Sequence, residues 1–343
     1  MTIRSRFTLV LVGLCFLSIA LKAQISTCKT QVVCSVYNLY YADCVPPLPP
    51  GASNCQWNGP WSAVCDIPTY QCSPAPCPTC NTPKGGGPID LATGNTDIQQ
   101  SDLVLPGLGG GLTLSRTWNS QTVGYGKFGL GWTSSLEEST YVGGDGLIKN
   151  ARGDGSIWSY GWSSYTQDGT GSVYYLAGPR NGGSTLQVNA TTWTLTLNSG
   201  EKKTFDRMSG SLLSMVDRNG NTTQVSYDSA NHRITVIDPA SRHLYLTYSS
   251  VSVGNFYVDL VTSVTSDFGV SLAYQYDAIG RLVKVTKPDT TFVTFEYGAG
   301  DLITAVKDRD GKILESHTYD IQGRGVTSSR AGGIDALTVS YQP

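Results

Sequence analysis

The sequence predicts an all-β protein, and three observations lead to this fold class. Short segments in which apolar and polar residues alternate, as in a half-buried strand at Leu112–Trp118, recur along the chain. The 39 glycines and 16 prolines among 343 residues supply frequent turns between such segments. No segment carries apolar residues at helical spacing over three turns, so little helix is expected.

Residues 1–23 have the order of a secretory signal. Two arginines in Met1–Arg6 precede the uncharged apolar run Phe7–Leu21, and a small residue then offers a cleavage site before Gln24. Fifteen apolar residues fall short of the about 20 that span a bilayer. We therefore expect a cleaved signal, a secreted or cell-surface protein, and no membrane span in the mature chain. An uncleaved anchor is the alternative.

Residues 24–83 form a cysteine-rich segment. Eight cysteines lie within 53 residues, and none follows them. A dense, even set behind a secretory signal indicates disulfides that hold together a segment too small for its own core, although their pairing stays open. A zinc or thiol-redox site at Cys77–Cys80 is the alternative. The disulfide candidates are Cys28, Cys34, Cys44, Cys55, Cys65, Cys72, Cys77 and Cys80.

Residues 84–204 are predicted to form a β-rich opening domain that begins with a flexible glycine-rich joint. Ser172–Leu176 and Trp193–Leu197 have strand character. Aromatic rings with polar tips suit both sugar stacking and protein interfaces. The candidate contacts for a glycan or a partner are therefore the clustered aromatics; the alternative is that they pack as the rim of a sheet. These residues are Trp158, Tyr160, Trp162 and Tyr165.

Residues 205–343 are periodic. In the clearest unit, Asp277–Gly280 forms a tight turn, Arg281–Thr286 a strand, and Phe292–Tyr297 the returning strand. A lone hairpin is marginal in water, so the units should add to one continuous sheet with a ladder of aromatic side chains. About six units begin at Phe205, Tyr227, Tyr248, Tyr276, Tyr297 and Tyr319, at separations of 22, 21, 28, 21 and 22 residues, the longest holding an insertion around Val251–Val258.

The pattern Tyr-Asp-x-x-Gly-Arg-Leu at Tyr276–Leu282 resembles the RHS/YD-repeat family, and Tyr319–Arg324 follows it up to its last position. Upstream, Arg116–Ser120 and Gly129–Trp132 are similar to the β-rich domain of unknown function that commonly precedes such repeats. The resemblance covers about residues 88–342. It implies a hairpin sheet that spirals into a shell around a toxin or other cargo. It also implies roles in surface recognition, including carbohydrate binding.

Two departures from the family pattern matter. Six units are fewer than a complete shell needs. Asp238-Pro239 is followed by Ala240-Ser241-Arg242, which differs from the family's Asp-Pro-x-Gly-Leu boundary motif. We therefore expect the N-terminal part of a shell, or a truncated member, whose partner is its own C-terminal effector or a separate polypeptide. The open edges of such a partial sheet predict self-association.

No catalytic, cofactor-binding or metal-binding residue is predicted. His232, His243 and His317 show no ligand spacing, and the repeat aspartates fit turns. Asp308–Gly311 resembles the start of a calcium loop but lacks its later ligands. A net charge of −2 argues against a general nucleic-acid binder. The sequence thus favours a structural, non-enzymatic protein. A carbohydrate-binding adhesin is the alternative, and a glycoside-processing enzyme would need a carboxylate pair.

Overall fold

A computed structural model describes residues 53–57, 63–66, 84–85, 88–178 and 183–341. The predicted signal segment and six of the eight disulfide candidates lie outside these residues. The chain forms two compact units, one of residues 1–76 and 143–146 and the other of residues 77–142 and 147–343. Within the described residues, no helix has the length and apolar content needed to cross a bilayer.

In the first unit, the described residues before residue 76 form one antiparallel hairpin. Its strands are β1 (Ser53–Trp57) and β2 (Ala63–Asp66), which pair Trp57 with Ala63 and Ser53 with Asp66 around a bulge. Cys55 lies on β1 and Cys65 on β2. Two candidates for disulfide formation are thus on neighbouring strands. Disulfide formation stays a prediction, and the pairing of the cysteines stays open.

The second unit opens with short strands in small antiparallel sheets. A three-stranded sheet joins β5, β6 and β9, while β3 pairs with β4 and β7 with β8. The strand predicted at Leu112–Trp118 is confirmed as β6. These strands are β3 (Lys84–Gly85), β4 (Ile89–Asp90), β5 (Asp97–Leu105), β6 (Leu112–Asn119), β7 (Tyr125–Gly126), β8 (Gly129–Leu130) and β9 (Trp132–Ser134).

One antiparallel sheet of 19 strands follows, in which each strand pairs with the next in sequence. Its strands are β10 (Ser139–Val142), β11 (Ile148–Ala151), β12 (Ile157–Tyr165), β13 (Ser172–Gly178), β14 (Thr185–Val188), β15 (Thr192–Thr196), β16 (Lys202–Asp206), β17 (Leu212–Val216), β18 (Thr222–Asp228), β19 (Arg233–Ile237), β20 (His243–Val253), β21 (Phe256–Ser266), β22 (Ser271–Tyr276), β23 (Leu282–Thr286), β24 (Phe292–Tyr297), β25 (Ile303–Lys307), β26 (Ile313–Tyr319), β27 (Gly325–Arg330) and β28 (Ile334–Thr338).

This meander confirms the predicted hairpin units and the all-β fold class. Glycine-containing turns such as Asp277–Gly280 are too short for anything but antiparallel neighbours. The helices in the described residues are three 3₁₀ turns, at Leu108–Gly110, Ala299–Asp301 and Ala331–Gly333. The sheet passes the predicted domain boundary at residue 204 without a break, because β16 pairs with both β15 and β17.

The first strand of the long sheet, β10, also contacts a turn that lies later in the same sheet. The backbone N–H of Thr140 donates to the carbonyl of Gly210 at 3.0 Å, and Ser139 forms an isolated bridge with Ser211. Gly210 and Ser211 both lie in the turn between β16 and β17. The outer edge of β10 is therefore covered by a turn of the same sheet.

One hydrophobic core joins the small opening sheet to one face of the long sheet. Trp118, Phe128 and Trp132 come from strands β3 to β9 and their connections (residues 84–134, the opening segment) and are almost fully buried. Alternate residues of the repeat strands, such as Leu272 and Tyr274 on β22, face them. The long sheet thus buries one face beneath residues that precede it in the chain.

Candidate functional site

The repeat turn has a fixed hydrogen-bond pattern that explains the Asp, Gly and Arg of the motif. Asp277 Oδ1 accepts the backbone N–H of Arg281 at 2.9 Å, and Oδ2 accepts Nε of the same residue at 2.7 Å. Gly280 has a φ of +73°, which favours glycine. Asp320 and Arg324 repeat these bonds at 2.9 and 2.7 Å. Both oxygens of each of these carboxylates therefore accept hydrogen bonds within their own turn.

A third turn of the same kind was not recognised in the sequence. Asp238 Oδ1 accepts the backbone N–H of Arg242 at 2.9 Å, and Oδ2 accepts its Nε at 2.8 Å. Ser241 takes the left-handed position with a φ of +59°. Because a serine stands where the motif has glycine, the pattern is hidden in the sequence. The Asp and Arg four residues apart are the signal that could have revealed it.

The repeat tyrosines form the predicted ladder, and their hydroxyls are used within it. Five hydroxyls, from tyrosines other than Tyr248, each donate to a backbone carbonyl 15 or 16 residues earlier, on the preceding unit. Burial raises the pKa of Tyr276, Tyr297 and Tyr319 well above its usual range. The bonds join Tyr227 to Leu212 (3.1 Å), Tyr276 to Val261 (2.7 Å), Tyr297 to Leu282 (2.8 Å), Tyr319 to Ile303 (2.7 Å) and Tyr341 to Gly325 (2.6 Å).

The motif arginine links one unit to the next. The Arg281 guanidinium carbon lies 4.8 Å from the ring centroid of Tyr297, and that of Arg324 lies 4.1 Å from Tyr341. Such cation–π contacts stabilise by about 0.5–1 kcal/mol at exposed sites. The two units with the full Asp–Gly–Arg turn thus each contribute an arginine that covers the following tyrosine.

A buried arginine lies where the opening sheet meets the repeats. Arg116 on β6 is fully buried, and its Nε and Nη2 donate to the Asp102 carboxylate at 2.5 and 2.8 Å. The hydroxyl of Tyr274, on β22 of the repeats, donates to the same carboxylate at 2.8 Å. Burial alone would lower the pKa of Arg116, but Asp102 more than offsets this, and the net pKa is raised.

Aromatic rings from both parts of the chain enclose that ion pair. The Arg116 guanidinium lies 4.5 Å from the centroid of Trp132. Phe128 packs edge-on against Tyr274 at 5.0 Å, and Trp132 against Phe295 at 5.1 Å. The opening segment and the repeats therefore share one buried cluster of charged and aromatic side chains, the Arg116 cluster, which consists of Asp102, Arg116, Phe128, Trp132, Tyr274 and Phe295. These partners are far apart in sequence, so sequence reasoning did not identify the cluster.

Backbone hydrogen bonds extend this interface along successive units. Val261 N–H donates to the carbonyl of Lys127 at 2.7 Å, and Leu130 N–H to that of Gly280 at 3.2 Å. Further along, the Gly325 N–H donates to the Gly94 carbonyl at 2.8 Å. Because these bonds use main-chain atoms, they fix the opening segment in one register along the sheet.

A cavity of about 630 Å³ lies between the turn at Gly109–Gly111 and two turns of the long sheet. A buried ion pair lines it, in which Lys203 Nζ lies 2.8 Å from Glu138 Oε1. Leu136, Val236 and other apolar residues form much of its wall. The second oxygen of Glu138 is buried without a hydrogen-bond partner. Sequence reasoning did not identify this pair, whose members are 65 residues apart.

The four candidate contact aromatics lie on one strand, β12, but not in one environment. Tyr160 is fully buried, and its hydroxyl is 2.8 Å from that of Ser184, so it presents no surface to a ligand and is corrected to a packing residue. Trp158 is half-buried beneath the Arg152 guanidinium at 4.2 Å. Trp162 and Tyr165 are 59% and 70% exposed, with ring centroids 5.9 Å apart. The glycan-contact hypothesis therefore rests on these last two.

The histidines do not converge on a common site. His317 is buried on β26, and burial lowers its pKa to about 4. His243 Nδ1 lies 2.9 Å from Asp267, and His232 packs edge-on against Tyr248. Among the described residues, no group of three or more His, Cys, Asp or Glu is placed to hold a metal ion.

Family models match both parts of the second unit. One, described as a domain of unknown function (DUF6531), matches residues 86–160. Another, described as the RHS Repeat, matches residues 258–291 and 276–313. The first match covers the opening sheet and reaches into β12. The second covers the units with the clearest Asp–Gly–Arg turn.

Curated relatives include the tRNA nuclease WapA of Bacillus subtilis strain 168 and the tRNA3(Ser)-specific nuclease WapA of Bacillus spizizenii. Each is 27% identical over 252 residues, which are 68% of this chain and 10% of the relative. The chain thus spans about a tenth of the length of the curated relatives it matches.

Solved structures similar to this chain include two complexes. A TcdB2–TccC3 structure has a TM-score of 0.38 and 12% identity, over 69% of this chain and 16% of that chain. A TcdB2–TccC3–Cdc42 structure has a TM-score of 0.26 and 11% identity, over 58% of this chain and 13% of that chain.

Proposed function

This chain is an RHS-repeat protein whose repeats follow a DUF6531 domain, and from this premise we propose that it is the N-terminal part of an exported scaffold. The scaffold encloses or displays another polypeptide, either a C-terminal effector of the same protein or a separate chain. The WapA relatives support an effector, because proteins named as tRNA nucleases carry a region similar to this one in only a tenth of their length.

The observation that carries the proposal is that the opening segment covers one face of the repeat sheet. Residues from Gly94 to Trp132 contact the repeats from Tyr248 to Tyr341 through backbone bonds, the Arg116 cluster and aromatic packing. Tyrosine hydrogen bonds and arginine cation–π contacts connect the units of this sheet, and the opening segment covers one of its faces. Such a sheet is suited to form the wall of a shell. Its action is steric and uses no cofactor.

The proposal assigns no catalytic step to the described chain. The repeat carboxylates are engaged in their own turns, as at Asp277, Asp238 and Asp320. Catalysis belongs to the enclosed or displayed polypeptide. Export is part of the proposal, with residues 1–23 as a cleaved signal and the eight cysteines paired as disulfides.

The decisive experiment is intact-mass measurement and terminal peptide mapping of the native protein recovered from its own cells and medium. A longer chain with more repeats and a distinct C-terminal segment, beginning near Gln24, supports the proposal. A mature chain that ends at Pro343 and copurifies with no other polypeptide contradicts it. Non-reducing peptide maps of the same material test the disulfides.

A second experiment tests enclosure itself. Native protein is treated with a nonspecific protease, and the survival of the C-terminal segment is followed by mass spectrometry. We expect that segment to resist digestion until the scaffold is denatured. Its digestion at the rate of an isolated, unfolded segment would show that nothing is enclosed.

The alternative function, a carbohydrate-binding adhesin, is favoured by one observation. Trp162 and Tyr165 form an exposed edge-on pair on a long hairpin, and such rings suit sugar stacking. Binding to a glycan array that disappears in Trp162→Ala and persists in Tyr257→Ala, an exposed aromatic elsewhere, would favour this function. No binding to any array would count against it.

A further inference from the structure

The longest repeat unit contains a hairpin that extends beyond the others. Strands β20 and β21 have 11 residues each, whereas the other strands from β16 to β28 have five to seven. The extension begins at a register shift beside Tyr248 and pairs Ser250 with Asp259 and Val253 with Phe256. It turns at Gly254, whose φ is +58°. The insertion seen in the sequence is therefore an ordered double strand.

This extension contacts the loop at Tyr125–Phe128 of the opening segment through charged groups at its base. Lys127 Nζ lies 3.0 Å from Asp259 and 4.6 Å from the ring centroid of Tyr248. The Lys127 carbonyl accepts the Val261 N–H at 2.7 Å. Lys127 thus makes three contacts with the two long strands.

The tip of the extension contacts the same loop through apolar groups. Phe256 packs edge-on against Tyr125 at 5.8 Å. Val253, which is almost fully buried, and Tyr125 both lie close to Gly280, where a side chain would meet the Tyr125 ring at 3.0 Å. The Tyr125 hydroxyl donates to the Ile279 carbonyl at 2.8 Å. The tip and the next repeat turn thus both contact this half-buried tyrosine.

We propose that the extended hairpin Tyr248–Val261 is a strap that holds the Tyr125–Phe128 loop, and through it the opening segment, against the repeats. Phe128 follows Lys127 directly and packs against Tyr274 in the Arg116 cluster. Release of the loop would withdraw Phe128 and admit water to a buried ion pair. The strap goes beyond the proposed scaffold function and stands whether or not a second polypeptide is enclosed.

The test is hydrogen exchange, read by mass spectrometry, on peptides that cover residues 120–131 in the full chain. The variant Phe256→Ala removes the half-exposed ring that contacts Tyr125, and Tyr257→Ala, 76% exposed, is the matched control. Since local opening sets exchange, Phe256→Ala should speed it about tenfold in residues 120–131. Peptides from β25–β27 should keep their wild-type rates.

Unchanged exchange at residues 120–131 in Phe256→Ala, or an equal acceleration in Tyr257→Ala, would overturn the proposal. A second variant replaces Val251–Val258 with Asn-Gly, which closes Ser250 and Asp259 with a two-residue turn. This variant removes the contacts of the tip and keeps those of Lys127 with Tyr248, Asp259 and Val261. Exchange at residues 120–131 should therefore rise at least as much as in Phe256→Ala, while the repeats stay protected. A loop that remains protected without the extension would also overturn the strap.

Discussion

At the scale of residues, the repeat motif closes its own turn through local hydrogen bonds, and one position of the turn accepts a residue other than glycine at the expense of stability. Asp and Arg four residues apart close the turn in three units, and the left-handed residue between them is glycine in two. In the third it is Ser241. A left-handed conformation costs an ordinary L-residue about 1–2 kcal/mol.

Replacement of Ser241 by glycine should therefore stabilise the protein. We expect Ser241→Gly to raise the free energy of unfolding by about 0.5–1 kcal/mol, after glycine's greater chain entropy is deducted. Urea unfolding followed by tryptophan fluorescence measures the change. Gly280→Ala, at the matching position of the motif unit, should change stability in the opposite direction. A Ser241→Gly variant that is less stable than the wild type would refute the assignment.

His317 should make stability depend on pH. Its ring is buried opposite Ser328 with neither nitrogen hydrogen-bonded, and burial lowers its pKa from 6.5 to about 4. Because the unfolded chain binds the proton more readily, the free energy of unfolding should fall as pH drops from 6.5 towards 4, by up to about 3 kcal/mol.

The variant His317→Phe removes this titrating group and tests its contribution. Unfolding by urea at pH 7 and pH 4.5 should show a smaller loss of stability in the variant than in the wild type. Glu315 Oε1 lies 3.9 Å from His317 Nε2, and burial raises the pKa of this carboxyl. The variant Glu315→Gln, compared in the same way, separates its contribution from that of the histidine. Equal losses in the two proteins would contradict the prediction.

At the scale of elements, the ion pair of Arg116 and Asp102 stabilises the packing of the opening sheet against the repeats, because Tyr274 on β22 binds the same carboxylate. Removing one partner of a buried pair costs about 3–5 kcal/mol, because the other charge stays buried without compensation. Asp102→Asn should therefore lower the free energy of unfolding by that amount. Asp259→Asn, from an ion pair with a 38% exposed carboxylate, is the control and should cost less than about 1 kcal/mol. Equal losses would contradict the assignment.

At the scale of the whole molecule, the two ends of the long sheet differ. The outer edge of β10 is covered by the Gly210–Ser211 turn. Strand β28 pairs with β27 on one side and, among the described residues, with no strand on the other. A bare edge offers unpaired backbone groups to another strand.

In a chain that ends at Pro343, the predicted self-association should therefore depend on β28. Sedimentation velocity over a range of concentrations should show association of the wild-type chain, and Ala336→Lys should reduce it, because a lysine on an edge strand discourages pairing. Ala273→Lys, at an exposed position of the interior strand β22, is the control. A wild-type chain that stays monomeric at high concentration would contradict the prediction.

The sequence by itself determined the hairpin units, their turns and the fold class. A unit of about 21 residues contains the Asp, Gly and Arg that close its own turn and the alternation that defines its strands, so its structure follows from interactions between near neighbours. The tyrosine ladder needs only the preceding unit, 15 or 16 residues away. Periodicity was therefore sufficient to predict it.

Only the tertiary structure decided what the opening segment contacts. Asp102 meets Tyr274 across 172 residues, and Tyr125 meets Ile279 across 154, at distances where no local pattern indicates a partner. The same reason explains why the burial of Tyr160 was not predicted. It has the sequence surroundings of the exposed Trp162 but lies within the core. Whether a strand residue is buried depends on what covers its face, and that is set by packing between distant parts of the chain.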